Sequence, residues 1–445
     1  MTIYALSTGS VKSGIAIIRI SGIQVENILS ELTKKELPKY KEATIRKIYD
    51  PSTKELIDQG MIILFKAPNS YTGEDLAEIH VHGSKAVITT LLSSLSKFED
   101  CRMAEPGEFT KLALNNGKMN LLEVEALSDL IDSETEHQRM QALKLLNGEG
   151  SKRYIKLRDR LLKILANIEA KIDFPEEDLP EDILNNIQIE TEKIIKDIRI
   201  ILDDNRVGEK IREGFKVAII GPTNAGKSSF LNYLSKREAA IVSDIEGTTR
   251  DVIEVNLNLD GLPVSLFDTA GLRQTDNPIE EKGVQLAISI AKKSDLKIII
   301  VEAKNPHFST LIDQFRDAQS ILVINKSDLL DKNKIKIKSI IKDDHFLISV
   351  KEDEGLNVLI EEIKNRLKEK FVINDNTLIT RERHRDNLEK CVEYLEIFLT
   401  KNSLEEFDKA GEDLRLATRH LGKVLGEVDV EEVLGKIFDD FCIGK

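Results

Sequence analysis

Gly221-Pro222-Thr223-Asn224-Ala225-Gly226-Lys227-Ser228 decides the reading of this chain. The letters spell G-x-x-x-x-G-K-S, and the context matters as much as the letters. The apolar run Phe215–Ile220 before it reads as a strand, and residues 229–234 after it read as a helix. In a strand–loop–helix unit the two glycines let backbone N–H groups close around phosphates. The start of the helix adds its dipole. Lys227 places a point charge on the terminal phosphates, and the Ser228 hydroxyl ligates magnesium. Asn224, Ala225, Gly226, Lys227, Ser228 and Ser229 are therefore the candidate contacts of this loop.

Further signals follow in chain order. Asp268-Thr269-Ala270-Gly271 ends an apolar run at residues 264–267, where an aspartate can hold magnesium through water and Gly271 can offer an N–H to a γ-phosphate. Asn325-Lys326-Ser327-Asp328 ends another apolar run, residues 321–324. That N-K-x-D pattern reads guanine, because its aspartate accepts two N–H bonds that adenine cannot offer. Ser349-Val350-Lys351, after a short strand, resembles the last base-contacting loop of GTPases. The order and spacing are those of a Ras-like G domain, so the expected nucleotide is GTP rather than ATP. Between the first two motifs, Gly247-Thr248-Thr249-Arg250-Asp251 is the switch I candidate, with Thr249 reaching magnesium beside Ser228. The bland alternative, a solvated polar loop, would leave the G domain without its switch.

Hydrolysis needs a positioned water. Ras-type enzymes use a glutamine directly after the D-x-x-G motif, but here that residue is Leu272, which cannot orient water. Glu280 and Glu281 lie just downstream and are the nearest acidic candidates; capping of the following helix is their alternative role. An arginine finger is not evident, since Arg250 and Arg273 both fall in switch segments. A cation in that place is the other solution, with the Asn224 side-chain carbonyl as one ligand. A plain turn residue is the competing reading of Asn224.

The flanks differ in texture. Residues 213–371 alternate apolar strands with helices, and such runs suit strands buried on both faces of a parallel sheet. Asp260-Gly261 is a hairpin turn between two short runs. Residues 1–118 read as an α+β domain. Residues 15–20 and 61–65 are strand candidates, and residues 77–82 alternate Ala77, Ile79 and Val81 against Glu78, His80 and His82. Residues 86–95 read as a helix. Helical spacing rules residues 119–212, with Leu157, Leu161, Leu165, Ile168 and Ile172 on one stripe and Ile187, Ile194, Ile198 and Leu202 on another. It returns over residues 372–445 with Leu388, Val392, Leu395, Leu399, Leu414, Leu421 and Leu425. The simplest architecture is a helical domain interrupted by an inserted α/β G domain, with four independent pieces as the alternative.

Composition agrees with several cores: 41% of residues are hydrophobic and 32% charged over 445 residues. The net charge of −13 argues against non-specific coating of nucleic acid and leaves room for a local RNA contact. No apolar run is long enough for a bilayer, and no charged start leads into an apolar run, so no membrane span or secretory signal is expected. Cys101, Cys391 and Cys442 are too scattered for a disulfide framework or zinc knuckle and suit a reducing cytoplasm. At the end of the chain, Cys442 suggests a catalytic thiol, a modification site or a packed cysteine. Prenylation fails on chemistry, because Gly444 is not aliphatic and Lys445 is not a usual terminal residue.

The α+β N-terminal domain, the helical domain, the inserted G domain with Asn224-Ala225-Gly226-Lys227-Ser228 and Gly247-Thr248-Thr249-Arg250-Asp251, and the terminal Cys442-Ile443-Gly444-Lys445 together resemble the MnmE (TrmE) family of tRNA-modification GTPases. That family sits in the TrmE-Era-EngA-YihA-Septin-like branch of the TRAFAC GTPases. The similarity spans essentially the whole chain. It extends to Arg19-Ile20-Ser21-Gly22, Tyr71-Thr72-Gly73-Glu74-Asp75 and Pro106-Gly107-Glu108-Phe109-Thr110. Val350 stands where alanine is commoner.

The resemblance implies a cytoplasmic homodimer that joins the flavoprotein MnmG in a heterotetramer. With it, the family adds a carboxymethylaminomethyl or aminomethyl group to C5 of the wobble uridine of certain tRNAs. A tetrahydrofolate derivative, 5-formyl or 5,10-methylene, carries the one-carbon unit. By motif position Arg19, Glu78 and Lys118 bind the folate, and Lys445 reaches it from the C-terminus; the role of Cys442 in the family is unsettled. In the G domain the resemblance implies magnesium at Ser228 and Thr249, and potassium at Asn224, Ser243, Ile245 and Thr248, completed when two G domains meet. The switch I run Ser243, Asp244, Ile245, Glu246, Gly247, Thr248 and Thr249 joins Asp268, Thr269, Ala270 and Gly271, then Asn325, Lys326 and Asp328, then Ser349, Val350 and Lys351, around the nucleotide. Among the acidic candidates it selects Glu280 to orient the water. A ribosome-assembly or regulatory GTPase switch is the alternative of another class; a basic RNA-binding module would mark it, and none is apparent.

Overall fold

The computed structural model describes residues 1–173, 181–237, 239–241, 252–269, 278–304, 313–330, 345–370, 377–401, 407–427 and 444. Two compact units emerge: Met1–Ser128 with Leu145–Ala166 and Leu414–Lys445, and Asp129–Lys144 with Asn167–Asp413.

Alternation of period two builds the first sheet. Its strands are β1 (Thr2–Leu6), β2 (Ser13–Ser21), β3 (Thr44–Tyr49), β4 (Leu56–Phe65), β5 (Leu76–Gly83) and β6 (Cys101–Met103), in the order β3-β4-β5-β2-β1-β6. Only β1 and β6 run parallel. Ala77, Ile79 and Val81 of β5 are buried while Glu78, His80 and His82 face the other way, as the alternation requires. The dry face packs under α1 (Val25–Thr33) and α2 (Lys85–Leu95), and Ser84 caps α2 by accepting from Val87 N. On the other side, Ile3 and Ala5 of β1 meet Phe109 of α3 (Glu108–Asn115).

Helices follow as α4 (Leu121–Ile131), α5 (Glu136–Leu146), α6 (Glu149–Asp173), α7 (Glu181–Leu202) and α8 (Val207–Glu213). The stripe of α6 differs by one residue from the expected one: Leu157, Leu161, Ile164 and Ile168 are buried, and Leu165 only partly. Steps of four, three and four stay closer to one helix face than repeated steps of four, which drift round the cylinder.

The α/β segment holds β7 (Phe215–Ile220), α9 (Lys227–Arg237), β8 (Ala239–Ile241), β9 (Val252–Leu259), β10 (Leu262–Thr269), α10 (Pro278–Lys293), β11 (Leu296–Glu302), β12 (Ser320–Asn325), β13 (His345–Leu347) and α11 (Leu356–Lys370). The sheet order is β13-β12-β11-β7-β10-β9-β8. Pairing is parallel from β13 through β10 and antiparallel beyond. Ile219, Ile298, Ile300, Val323 and Leu266 fill its core with the α9 and α11 side chains. The β9–β10 turn at Asp260-Gly261 takes positive φ at both residues, 52° and 88°, as a tight right-twisting hairpin demands.

After it come α12 (Glu382–Thr400) and α13 (Phe407–Leu425). In the second unit, helices from before and after the α/β segment meet: α7 packs on α12. On α12 Phe398 is buried and Leu399 only partly, the same one-residue shift as on α6. Buried Arg385 of α12 pairs with Asp204 at 2.7 Å and Glu209 at 3.2 Å, and donates to the Leu202 carbonyl at 3.0 Å. Removing one partner of such a buried set leaves an uncompensated charge, so it fastens α12 to the entry of the α/β segment.

Candidate functional site

Five parallel strands deliver their carboxyl ends to one edge of the second sheet, where ligands of such sheets bind. The loop from Gly221 leaves β7 there. Gly226 has φ +95°, and a Cβ on it would lie 2.2 Å from the Asn325 amide nitrogen. At Gly221 a Cβ would lie 2.1 Å from the Ile300 carbonyl oxygen. Close approach demands glycine at both positions, and at Gly226 the positive φ demands it as well.

Lys227, the first residue of α9, is 6% exposed, and its ammonium donates to the carbonyls of Gly221 at 3.1 Å and Pro222 at 2.9 Å. Burial pushes its pKa below the ordinary lysine value, against the opposing charge of Asp268. Beside it the Ser228 hydroxyl donates to Asp268 Oδ2 at 2.5 Å. Asp268 Oδ1 is buried and has no hydrogen-bond partner among the described residues. A hydroxyl and an orphaned carboxylate oxygen form a hard-oxygen pair suited to magnesium. Asn224, with φ +63°, is exposed at the loop crown; Ser229 is exposed on α9.

The loops after β12 and β13 sit at the same edge. Asn325 is 2% exposed; its amide donates to the Ala225 carbonyl at 2.9 Å, and its oxygen accepts from Val350 N at 3.3 Å. One side chain thus joins the phosphate loop to the loop after β13. The Ser349 hydroxyl donates to Asp328 Oδ1 at 2.6 Å, and Asp328 itself is exposed. Lys326 adopts φ +63° and pairs with Glu302 at 3.4 Å. Lys351 pairs with Glu352 at 3.0 Å and stays open to solvent.

Ser243, Asp244, Ile245, Glu246, Gly247, Thr248, Thr249, Ala270, Gly271, Cys442 and Lys445 lie outside the described residues, as do Arg250, Leu272 and Arg273. Thr269 ends β10 and Glu280 stands in the first turn of α10, but the side chains of both lie outside what is described.

A second polar cluster lies on the first sheet. Arg19 of β2 stands opposite Glu78 of β5, and its Nε and Nη2 donate to Glu78 Oε1 at 3.2 and 2.9 Å. His80 Nε2 lies 3.6 Å from the other Glu78 oxygen. The Arg19 guanidinium stacks 5.1 Å from the Tyr71 ring centre and 5.7 Å from that of Phe109. Burial raises the Tyr71 pKa, so its hydroxyl, bonded to Thr110 at 2.7 Å, stays protonated. Lys118 is not gathered with Arg19 and Glu78 by any described contact: its ammonium donates to the Pro68 carbonyl at 2.9 Å, and its stem lies against Gly73. Ser7, Tyr71 and Phe109 were not singled out as site residues from sequence. Tyr71 and Phe109 fall within shared motifs, but no pattern marks their rings as the walls around Arg19.

Comparison with known proteins follows the same division. The family model described as "MnmE helical domain" matches residues 121–442, and that described as "GTP-binding protein TrmE N-terminus" matches residues 2–118. A tRNA modification GTPase MnmE of Pelagibacter ubique is 58% identical over 446 residues, covering 100% of both chains. Its counterpart in Parvibaculum lavamentivorans is 43% identical over 445 residues, again covering 100% of both. Among solved structures, the G domain of the T. maritima FeoB iron transporter aligns with a TM-score of 0.27 and 23% identity, covering 35% of this chain and 98% of that one.

Proposed function

This chain belongs to the MnmE family of tRNA modification GTPases, and on that premise we propose that it hydrolyses GTP with potassium as its activating ion to drive modification of the wobble uridine of tRNA, as a homodimer working with the flavoprotein MnmG. The observation that carries the nucleotide reading is the Asn325 side chain, which ties Ala225 of the phosphate loop to Val350 of the base loop. That bridge sets the distance between a bound base and its phosphates.

The residues divide the work. Asp328 accepts the N–H edge of guanine, and the Ser349 hydroxyl orients its carboxylate. Backbone N–H groups of the loop from Gly221 hold the β- and γ-phosphates, and Lys227 turns from the loop carbonyls to the phosphate oxygens. Ser228 and Thr249 would hold magnesium, with Asp268 as a further oxygen donor, and the ion would supply positive charge to the phosphates. Asn224, with Ser243, Ile245 and Thr248, would hold potassium, whose charge would serve in place of an arginine finger. Glu280 orients the attacking water.

Arg19, Glu78 and Lys118, with Lys445, would hold the folate of the one-carbon site, and a tetrahydrofolate derivative would supply the carbon that enters the base. Ile45, Met61, His80 and Ile17 form one row across β3, β4, β5 and β2. Ile45 is 68% exposed and Ile15, two residues before Ile17, is 62% exposed, which supports burial of this face by a second copy. Among the described residues no helix is long and apolar enough to cross a membrane, and we place the protein in the cytoplasm.

Turnover in potassium against sodium tests the ion. Losing a charge placed at the transition state costs on the order of 10- to 1000-fold in kcat, so GTP hydrolysis is expected to fall by such a factor in sodium. Equal rates in the two salts would refute the activating ion.

A further inference from the structure

Ser7 and Gly444 are 437 positions apart in sequence, yet the Ser7 hydroxyl donates to the Gly444 carbonyl at 2.9 Å. Arg19 Nη1 donates to the same oxygen at 3.3 Å. Gly444 has φ +105°, and a Cβ there would lie 2.3 Å from the Leu6 carbonyl oxygen and 2.8 Å from Ser7 Cα. Any other residue would therefore displace the terminus from the end of β1. Ser7 is itself anchored, because its N–H donates to the Ile17 carbonyl at 2.7 Å.

The consequence falls on Arg19. Of the five N–H donors of a guanidinium, Nε and one on Nη2 go to Glu78, and one on Nη1 goes to Gly444. The rings of Tyr71 and Phe109 bracket the group. Two donors remain among the described contacts, one on Nη1 and one on Nη2, and the bonds to Glu78 and Gly444 together hold the plane in which they point.

We propose that Ser7 and Gly444 form a clasp that fastens the chain terminus to β1 and thereby positions Arg19, so that its remaining donors meet acceptor groups of the reduced pterin. Ser7 and Gly444 are positioning residues in this scheme, acting through Arg19. The proposal rests on the folate reading of this site.

The test measures binding of 5-formyltetrahydrofolate to the full-length protein by calorimetry, with hydrogen exchange followed over residues 2–8. Losing an aligned hydrogen bond to a charged group costs on the order of 10- to 100-fold in affinity, so Gly444→Ala is expected to weaken binding by roughly tenfold or more. Ser7→Ala, which removes one hydrogen bond, is expected to weaken it about threefold, and Ser7→Thr to restore it. In an Arg19→Lys background, the further loss from Gly444→Ala should vanish, because the clasp acts through Arg19. Wild-type affinity in both Gly444→Ala and Ser7→Ala would overturn the proposal, and so would an undiminished loss from Gly444→Ala in the Arg19→Lys background. If the wild-type protein binds no folate, the folate reading fails by itself. The clasp is then judged by exchange: faster exchange at the end of β1 in both variants supports it for another ligand, and unchanged exchange overturns it.

Discussion

Gly226→Ala is expected to abolish GTP binding at ordinary concentrations. Gly226 holds φ +95°, a region in which an L side chain costs about 1–3 kcal/mol. The new methyl would also sit 2.2 Å from the Asn325 amide nitrogen, inside its van der Waals shell. Asn325 cannot yield cheaply: it is 2% exposed and holds both Ala225 and Val350. Overpacking of this kind costs about another 1–3 kcal/mol. Together the two, about 2–6 kcal/mol, correspond to a loss of about 30- to 2 × 10⁴-fold in affinity. Fluorescent guanine-nucleotide titration reads the result. A loss of less than about threefold would mean that the bridge does not organise the pocket. Because the first sheet and its core do not involve Asn325, 5-formyltetrahydrofolate binding should be retained, which separates a local effect from misfolding.

Glu280→Ala is expected to keep GTP affinity and lose turnover. Leu272 follows the D-T-A-G motif, so the usual water-orienting glutamine is missing. Glu280 stands in the first turn of α10, the helix that follows that motif in the chain. Glu281 is its neighbour in sequence and the other acidic candidate. Losing a positioned acid–base group costs typically 10²- to 10⁴-fold in rate, so kcat is expected to fall by about that factor with affinity changed less than about twofold. Glu281→Ala should remain near wild type. Single-turnover hydrolysis of GTP by the two variants decides between them, and an unimpaired Glu280→Ala would remove Glu280 from the mechanism.

Much of this was legible from local chemistry. The phosphate loop announces itself because close backbone packing admits only glycine at Gly221 and Gly226, and because Lys227 and Ser228 must follow at the helix start. Alternation across residues 77–82 placed Glu78 on the polar face of β5, where it meets Arg19. The strand at residues 321–324 was visible as an uninterrupted apolar run, since both faces of its sheet are covered.

What stayed hidden depends on contacts distant in sequence. Nothing near Ser7 says that it will hold Gly444, and nothing near Arg385 says that it will be buried against Asp204 and Glu209. The one-residue shifts on α6 and α12, from Leu165 to Ile164 and from Leu399 to Phe398, have the same origin: adjacent apolar residues compete for one face, and the packing partner decides. The partner of Lys118 was equally hidden: its ammonium donates to the Pro68 carbonyl, 50 residues away in sequence.

The central claim is that GTP turnover by this chain drives chemistry on tRNA. Mass spectrometry of nucleosides from the tRNA of a strain deleted for the gene, and of the same strain carrying the wild-type or the Glu280→Ala chain, tests it most directly. The account predicts that the C5-modified wobble uridine disappears on deletion, returns with the wild-type chain and stays absent with Glu280→Ala. Modified uridine at wild-type levels in the deletion strain, or its full return with a Glu280→Ala chain that has lost turnover, would contradict it.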